Sequence, residues 1–405
     1  MMHKQGVLFV VNDLRPGGAE MFLLRLANYL SKDVEVFIHC LHPEKNDLAF
    51  VQLFREQLSF QFIQQPFVNP KREKVFWKIN AFFYFLGIKG VFAKLKKHNE
   101  ILFYKKQLKH FNIRAILTSG ISSDFKSTQF FRLHYNLPVI LTMHSDYNEE
   151  FWNVSGRNQD EFFRLSNQIF QDTDVLFYTA DHNIKILEHL QLNAQLPIKK
   201  CYLGFEKKPF VNIRSSFNIP TNAFVGTMMA RGIPEKGWEE GIQAFTALQQ
   251  SVPNSYLLLI HTETNYIEVL KEKYKHYSNI IFCGYVSDPS GILYSSDILI
   301  FPSHFPESLP YAITEALACS VPVLTTPIAE IPEMLNTNEG IAGELIPLDH
   351  SGKCDVEELA NKLQLYAQDT VLLSEKKILA SKAFEKFDMH TCGNSFKESL
   401  LPFLK

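Results

Sequence analysis

Two glutamates, Glu307 and Glu315, stand eight positions apart where an apolar run gives way to a helical pattern. A carboxylate can accept two hydrogen bonds from the adjacent hydroxyls of a sugar or ribose ring. Pro310 suits the first position of a helix, and the amides at a helix start attract an anion. We therefore predict that the amides of Leu309, Tyr311 and Ala312 face the phosphate of a ligand whose hydroxyls bind the glutamates, and that Ser308 belongs to the same binding site. Taken alone, such a pair is more often a solvated loop residue and an ordinary helix charge.

A second polar segment follows the apolar run at residues 224–229 and carries two cations, Arg231 and Lys236. Their charges can neutralise a diphosphate without a metal ion. In isolation, a solvated turn explains them equally well. Combined with the glutamates, they predict a nucleotide-diphosphate sugar as the ligand.

Two further features occupy similar places in the first half of the chain. Gly17 and Gly18 stand between the apolar run at residues 6–11 and a helical pattern, where glycine lets the backbone approach a ligand closely. His144 directly follows the run at residues 139–143 and could reach the same ligand. Each signal is weak by itself, because Gly-Gly turns are common and a lone histidine is more often structural.

These segments need parallel strands to position them. Short β-branched and aromatic runs alternate with helical patterns along the chain, which is typical of parallel sheets covered by helices. Ligands bind at the carboxyl ends of strands in such sheets. We predict two series of strands: residues 6–11, 34–40, 115–118, 139–143 and 175–179 in the first, and 224–229, 256–260, 280–283, 298–301 and 321–324 in the second.

The weakly periodic stretch 206–222 lies between the two series and predicts a linker. We therefore divide the chain into an N-terminal domain at 1–205, a C-terminal domain at 206–385, and a terminal helix at 386–405 that packs back on the first domain. Both domains are predicted to be α/β, Rossmann-like and doubly wound, facing a central cleft. The 405 residues, 46% of them hydrophobic, suffice for two cores.

Composition and motifs argue against several function classes. The net charge of −2 gives no sign of a nucleic-acid partner. The P-loop, the Gly-x-Ser-x-Gly nucleophile motif and the dinucleotide fingerprint do not occur in the sequence. The six cysteines are widely spaced without a Cys-x-x-Cys pair, which indicates reduced thiols in a cytoplasmic protein. We expect neither a cofactor nor a bound metal ion.

One pair of aspartates has the sequence pattern of a metal-binding site. Asp172 and Asp174 form an Asp-x-Asp motif, but they precede the run at residues 175–179. They would therefore lie at the wrong end of that strand for a ligand. We expect a turn there and a reaction that is independent of metal.

Taken together, these segments resemble the family 4 glycosyltransferases of the GT-B fold, also called glycosyl transferases group 1, over nearly the whole chain. Glu307 and Glu315 match that family's E-x(7)-E motif, in which the first contacts sugar hydroxyls and the second the ribose. Arg231 and Lys236 match the pair that holds the donor diphosphate. The resemblance also implies that the backbone near Tyr285 contacts the base.

The resemblance extends to the first half of the chain. Gly17 and Gly18 match the family's N-terminal glycine loop, and His144 matches its histidine near the transferred sugar. Ser320 and Ala230 depart from the pattern, since glycine is usual at both positions. A third departure, Glu206, replaces a more frequent aspartate. These changes affect local geometry and leave the charged site residues in place.

The resemblance implies retaining transfer of a hexose-type sugar from a nucleotide-diphosphate donor to a hydroxyl acceptor, in bacterial surface polysaccharide or glycolipid synthesis. The N-terminal domain would bind a glycan or lipid-linked acceptor, and the C-terminal domain the donor. The residues include no obvious carboxylate nucleophile beneath the sugar, which favours front-face departure of the diphosphate. Two alternatives stay open: a GT-B phosphorylase or synthase acting on a disaccharide, and a catalytically silent nucleotide-sugar-binding protein.

The segment from Lys71 to Lys109 contains eleven Lys or Arg residues and only two Glu, interleaved with aromatic residues. A basic, aromatic segment of this kind can lie on an anionic membrane surface. Its aromatic side chains could equally be the buried faces of helices whose lysines are solvated. No stretch of about 20 apolar residues is present to span a bilayer. We expect a cytoplasmic protein. If the basic side of the segment faces a membrane, the protein would bind peripherally to the inner face of the plasma membrane.

Overall fold

The computed structural model describes residues 5–15, 17–47, 50–52, 60–62, 91–144, 147, 159–190, 192, 195–305 and 308–404. The chain divides into two compact units, each with its own sheet. Unit 1 comprises Met1–Cys201 together with Gly393–Lys405, and unit 2 comprises Tyr202–Cys392.

Unit 1 contains a seven-stranded sheet in the order β3-β2-β1-β4-β5-β6-β7, and every pairing is parallel. Its strands are β1 Gly6–Val11, β2 Glu35–Cys40, β3 Phe60–Phe62, β4 Ile113–Ser119, β5 Val139–Met143, β6 Val175–Tyr178 and β7 Ile198–Lys200. The central strand β1 is buried along its whole length, which explains its unbroken apolar run. The short strands β3 and β7 are not among the predicted strands, because three residues are too few to show a period.

The helices of unit 1 cover both faces of this sheet and follow its strands in sequence. They are α1 Gly18–Ser31, α2 Val91–His110, α3 Ile121–Lys126, α4 Leu133–Tyr135 and α5 Gln159–Gln171, with a π-helical turn at Ser127–Arg132 and 3-10 helices at Pro43–Lys45 and Asp181–His189. The apolar side of α1, which includes Phe22 and Leu26, is buried as its 3.6-residue period predicts.

Unit 2 contains a six-stranded parallel sheet in the order β10-β9-β8-β11-β12-β15. Its strands are β8 Phe224–Ala230, β9 Ser255–His261, β10 Ile280–Gly284, β11 Ile298–Phe301, β12 Val323–Thr325 and β15 Gly343–Leu345, and a small antiparallel pair is formed by β13 Asn336–Thr337 and β14 Gly340–Ile341. The prediction of two doubly wound α/β domains is confirmed.

The helices of unit 2 pack on this sheet around a core that includes Trp238 and Phe245. They are α6 Trp238–Ser251, α7 Asn265–Tyr274, α8 Ser290–Tyr294, α9 Tyr311–Ala318, α10 Ile331–Leu335, α11 Val356–Gln368 and α12 Thr370–Phe384, with 3-10 helices at Arg214–Phe217, Pro234–Lys236 and Glu385–Phe387. The next helix, α13 Met389–Leu400, begins in unit 2 and continues into unit 1, which also contains the 3-10 helix Leu401–Phe403. The expected helical position of Pro310 is wrong by one residue. Its ψ of 121° is extended, so Pro310 precedes α9 instead of forming its first turn.

The boundaries between the units are expected at 205/206 and 385/386, whereas the units divide after Cys201 and after Cys392. Backbone hydrogen bonds explain why residues 202–205 belong to unit 2. The Phe205 amide donates to the Phe387 carbonyl at 2.8 Å, and the Met389 amide donates to the Phe205 carbonyl at 3.1 Å. Residues around Phe205 are thereby tied into unit 2.

The second half of α13 belongs to unit 1 and packs on its helix α1 and strand β6. The ring of Phe396 is fully buried, stacks on Phe177 at 3.9 Å between centroids, and lies 5.6 Å from Phe22. Lys397 also pairs with Asp33 at 2.7 Å. The terminal residues therefore complete the core of unit 1.

No helix in the described part of the chain is long and apolar enough to cross a bilayer. Of the basic segment between Lys71 and Lys109, residues 71–90 lie outside the described residues, and α2 covers the rest. On α2, Tyr104 and Leu108 are buried while Lys105, Lys106 and Lys109 are exposed. This part of the segment has an apolar side in the core and a solvated basic side.

Candidate functional site

Arg231 and Lys236 follow β8 at the carboxyl edge of the sheet in unit 2. Arg231 is exposed, whereas Lys236, at the end of the 3-10 turn Pro234–Lys236, is only 5% exposed. Both cations lie against the ring of Phe305, which is 4.6 Å from Lys236 Nζ and 5.7 Å from Arg231 Cζ. The aromatic face stabilises two neighbouring positive charges by cation–π attraction. The result is a compact cationic surface suited to a diphosphate.

The turn that carries these cations is anchored to the loop after β11. Gly237 has a φ of +71°, and a Cβ there would lie 2.1 Å from the Pro302 carbonyl oxygen, so only glycine fits. The Glu235 carbonyl accepts a hydrogen bond from the His304 amide at 3.0 Å. Trp238 Nε1 donates to the Arg231 carbonyl at 2.8 Å. These contacts fix the backbone on both sides of Lys236.

The pKa of Lys236 is lowered to about 8, mainly by burial and to a smaller extent by the nearby charge of Arg231, while Glu235 opposes the shift. Desolvation penalises the charged ammonium, and a second cation adds repulsion. A bound dianion between the two side chains would relieve both penalties. A buried ammonium beside a second cation, with its pKa lowered, is the kind of environment that occurs at functional sites.

The segment around α9 supplies the next group of predicted residues. Leu309 is buried, Ser308 is partly exposed, and Glu315 is 8% exposed on the second turn of α9. Tyr311 Oη donates to the Gly204 carbonyl at 3.3 Å, which fixes the start of the helix within unit 2. Glu307 lies outside the described residues. Its predicted role stays a prediction.

The end of α9 explains one departure from the family pattern. The Val321 amide donates to the Ala316 carbonyl and the Ser320 amide to the Leu317 carbonyl, each at 2.9 Å, which forms a Schellman motif. Ser320 occupies its left-handed position with a φ of +59°, where glycine carries no steric penalty. The backbone keeps the geometry that the usual glycine would adopt.

Tyr285 follows Gly284, the last residue of β10, and is 60% exposed. β10 lies at the sheet edge, two strands from β8 in the order of unit 2. Tyr285 is therefore at the same carboxyl edge as Arg231 and Lys236, on the side away from β11. The predicted contact of this region with the base stays a prediction.

In unit 1, the glycine pair and the histidine also lie at the carboxyl edge of the sheet. Gly17 caps α1, which begins at Gly18, and a Cβ on Gly17 would lie 2.3 Å from Glu20 Oε2. His144 follows β5, and its ring packs edge-on against Phe22 with 5.4 Å between centroids. The structure thus brings His144 and the first two turns of α1 together.

His144 retains some exposed surface, yet the surrounding protein lowers its pKa to about 4. Burial is the cause, because desolvation disfavours the imidazolium. At neutral pH the side chain is an uncharged imidazole. It can exchange a hydrogen bond with a hydroxyl group without placing a second positive charge there.

The Asp-x-Asp pair is occupied with structural interactions at the amino end of β6. Asp174 Oδ2 accepts a hydrogen bond from the Val139 amide at 2.8 Å and pairs with Arg132. Asp172 Oδ2 accepts from Gln129 Nε2 at 3.0 Å. Among the described residues, no group of three or more His, Cys, Asp or Glu side chains is placed to hold a metal ion.

Two residues of the cationic surface are missed by the sequence analysis. Phe305 lies between the cations and the predicted glutamate motif in sequence, and its aromatic type is the only available signal. Trp238 is fully buried and its sequence pattern is that of an ordinary core residue, although its indole donates a hydrogen bond to the Arg231 carbonyl. The contact of Phe305 joins residues about 70 positions apart in sequence, so spacing alone could not reveal it.

Comparison with known proteins agrees with this architecture. Residues 210–383 match the family model described as glycosyl transferases group 1. No curated protein sequence matches the chain at a significant level.

Solved structures share the fold over nearly the full chain. The Anabaena protein HepE, determined in complex with UDP and glucose, is 17% identical, with 98% of this chain and 100% of that chain covered and a TM-score of 0.70. Sucrose-phosphate synthase from Thermosynechococcus elongatus is 17% identical, with 98% and 99% covered and a TM-score of 0.67. WaaG, a glycosyltransferase involved in lipopolysaccharide biosynthesis, is 15% identical, with 97% and 99% covered and a TM-score of 0.60.

At these identities the solved structures establish the fold, and the family model covers most of unit 2, including the cationic surface and α9. Residues 210–383 therefore match the glycosyl transferases group 1, and the chain has the GT-B fold.

Proposed function

We propose that this protein is a retaining glycosyltransferase that moves a hexose-type sugar from a nucleotide-diphosphate donor to a hydroxyl acceptor, without a metal ion or other cofactor. The observation that carries the proposal is the pair Arg231 and Lys236 on Phe305 at the carboxyl edge of unit 2. Burial and the neighbouring Arg231 both disfavour the charged form of Lys236, and a bound anion would favour it. The donor diphosphate is that anion.

Each residue has a role in this reaction. Arg231 and Lys236 stabilise the negative charge that develops on the departing diphosphate, with help from the amides at the start of α9. Glu315 accepts hydrogen bonds from the ribose, and Glu307 from the sugar. The acceptor oxygen forms its bond to the anomeric carbon on the face from which the diphosphate leaves, and its proton passes to a phosphate oxygen. Anomeric configuration is thereby retained.

The direct test is a thermal-shift screen of nucleotide diphosphate sugars followed by an assay for diphosphate release. A ligand at about 100 times its dissociation constant stabilises the folded state by about 2.7 kcal/mol. We expect stabilisation by at least one nucleotide sugar and slow release of the nucleoside diphosphate with water as acceptor. Stabilisation without any release would indicate a silent binding protein. Consumption of inorganic phosphate would instead indicate a phosphorylase.

Metal independence is tested in the same assay with EDTA. Two cations already neutralise the diphosphate, and Asp172 and Asp174 are committed to other contacts. We expect diphosphate release to survive the chelator. Loss of release with EDTA and its rescue by Mg²⁺ or Mn²⁺ would contradict this part of the proposal.

We place the enzyme in the cytoplasm, at the inner face of the plasma membrane, acting on a glycan or lipid-linked acceptor of bacterial surface polysaccharide or glycolipid synthesis. The support comes from α2, whose Lys97, Lys105, Lys106 and Lys109 are exposed. Leu102 on the same helix is exposed as well. Such a surface can attract anionic lipid, with each lysine contributing about 1 kcal/mol.

Vesicle cosedimentation tests this contact. The wild-type protein is expected to bind vesicles of anionic lipid but not of neutral lipid, with binding weakened by salt. Charge reversal of the four exposed lysines of α2 to glutamate should abolish it. The matched control reverses four exposed lysines of unit 2, namely Lys208, Lys273, Lys275 and Lys353. Equal effects of the two variants would assign the binding to net charge and not to α2.

A further inference from the structure

We infer that Glu263 forms a nucleobase subsite that selects guanine, so that the donor is a GDP-sugar. This inference rests on the proposed function and deepens it. Glu263 lies just beyond His261, the last residue of β9, and its side chain is 56% exposed. Its Oε1 lies 3.4 Å from the point where a Cβ on Gly284 would stand. The carboxylate thus lies over the bare backbone at the end of β10.

The loop that carries Glu263 is joined to the loop that carries Arg231. The Gly232 amide donates to Thr262 Oγ1 at 2.9 Å, and Thr264 Oγ1 donates to the Gly232 carbonyl at 2.5 Å. A Cβ on Gly232 would lie 2.4 Å from the Thr262 carbonyl oxygen, so the two loops are in direct backbone contact. Glu263 is therefore held at a fixed place beside the diphosphate-binding cations.

The distance along the sheet suits a nucleotide. Neighbouring strands are about 4.8 Å apart, which puts the ends of β8 and β10 about 10 Å from each other. That separation is comparable with the extent of a nucleoside diphosphate from its phosphates to its base. With the diphosphate on Arg231 and Lys236, the base reaches Gly284 and Glu263. The exposed ring of Tyr285 next to Gly284 offers an aromatic surface at the same point.

The carboxylate of Glu263 is kept ionised and oriented. Lys271 Nζ donates to Oε2 at 2.8 Å and lowers the pKa of Glu263. On the other side, His261 is 2% exposed, and its Nδ1 is 3.8 Å from Glu263 Oε1. Neither ring nitrogen of His261 has a hydrogen-bond partner of normal geometry among the described residues. Lys271 therefore orients the carboxylate through Oε2, and Oε1 lies within 3.8 Å of the buried imidazole.

Base chemistry determines which nucleotide such a carboxylate prefers. Guanine presents two adjacent donors, N1–H and N2–H, which match two carboxylate oxygens. Uracil presents one donor, N3–H, between two carbonyl oxygens that a carboxylate repels. Adenine offers only its exocyclic amino group on this edge. A carboxylate at the base position therefore favours GDP over ADP and UDP.

The test is calorimetric titration of the full-length chain with GDP, UDP and ADP. We expect the wild type to bind GDP at least about fivefold more tightly than UDP, the lower end of what a bidentate base contact provides. Glu263→Gln keeps the side-chain volume and should remove the preference by weakening GDP alone. Glu268→Gln is the matched control, because Glu268 also pairs with Lys271 Nζ at 2.8 Å but lies one turn into α7.

The outcomes separate this inference from the proposed function. Tighter GDP binding that is lost in Glu263→Gln and kept in Glu268→Gln supports the guanine subsite. Equal weakening of GDP and UDP in Glu263→Gln overturns it, because Glu263 would then contact the ribose that both share. Wild-type preference for UDP overturns it as well and leaves the proposed function intact. Failure of all three nucleotides to bind overturns both.

Discussion

Burial shifts the pKa of Lys236 towards neutral pH, whereas its neighbour Arg231 is exposed. An exposed lysine near Arg231 would remain protonated at any physiological pH, whereas the pKa of Lys236 is lowered to about 8. The ring of Phe305 compensates part of the repulsion between the two cations. Lys236 therefore contributes its positive charge to the site mainly below about pH 8.

Removing either cation is expected to slow sugar transfer. Arg231→Ala and Lys236→Ala should each lower kcat by roughly 10²-fold or more, the loss typical of one preorganised charge-stabilising group. Steady-state kinetics with the donor identified in the thermal-shift screen measures the effect. Lys208→Ala, an exposed lysine of the same unit, is the control and should be neutral. Near-normal kinetics in either site variant would contradict the diphosphate assignment.

The lowered pKa of Lys236 predicts a pH dependence of donor binding. Below about pH 8 the ammonium of Lys236 is protonated and attracts the diphosphate. Above about pH 8 the free enzyme loses this proton, so the affinity for the donor should fall about tenfold per pH unit. The free energy of unfolding should rise over the range from 8 to the ordinary lysine pKa of 10.5, because the folded state disfavours the proton. Binding of the nucleoside diphosphate measured from pH 7 to 10 tests the first effect.

Lys236→Arg provides the comparison for that titration, since a guanidinium stays charged throughout this range. Its affinity for the nucleotide should be nearly constant apart from ionisation of the base, which both proteins share. His144 adds no transition near its ordinary pKa of 6.5, because burial lowers its pKa to about 4. Parallel curves for wild type and Lys236→Arg would show that Lys236 does not titrate in the site.

At the scale of elements, the termini of helices and strands position the site. The 3-10 turn before α6 and the loop after β11 are held together by the contact of Gly237 with Pro302 and by the Glu235–His304 hydrogen bond. The Schellman motif ends α9 and returns the chain to β12. Neither device depends on a long side chain, so backbone conformation at a few residues determines where the charged groups lie.

Ser320 retains strain that glycine would remove. Its φ of +59° is unfavourable for a residue with a Cβ, so Ser320→Gly should raise the free energy of unfolding by about 0.5–1 kcal/mol despite the added freedom of the unfolded chain. Urea unfolding measures the change. Asn218→Gly, at a φ of +55°, is the control with a smaller expected gain, because asparagine tolerates this conformation. A destabilised Ser320→Gly would mean that the serine hydroxyl contributes more than the strain costs.

At the scale of the whole molecule, each unit is completed by residues distant in sequence. Unit 2 includes residues before the expected boundary through the hydrogen bonds of Phe205 with Phe387 and Met389. Unit 1 includes the last thirteen residues, whose Phe396 fills its core against Phe22 and Phe177. Stability of unit 1 therefore depends on the far end of the chain.

Phe396→Ala should destabilise unit 1 selectively. Loss of a fully buried phenylalanine costs about 3–5 kcal/mol through lost burial and the cavity left behind. Hydrogen exchange followed by mass spectrometry should show reduced protection in α1 and β6, with the strands of unit 2 unchanged. Leu401→Ala, an exposed position on the following turn, should change neither. Uniform loss of protection in both units would show that they unfold as one.

The ten predicted strands all occur, because strands buried on both faces of a parallel sheet must be continuous apolar runs that can be read directly. The polar residues after those strands could also be predicted, since parallel strands bring their carboxyl ends to one edge. Local sequence is enough to single out three motifs: the spacing of Arg231 and Lys236, the glutamate pair, and the Gly17–Gly18 turn. Strands β3, β7 and β15 are too short for this signal.

Only the tertiary structure could decide the properties that arise from contacts between distant segments. The lowered pKa of Lys236 requires the burial created by packing, and its contact with Phe305 joins two different strand ends. Glu263 gains its meaning only from lying over Gly284. A residue's chemical type is encoded at its own position, but its solvation and its neighbours are set by chain segments that sequence spacing does not relate.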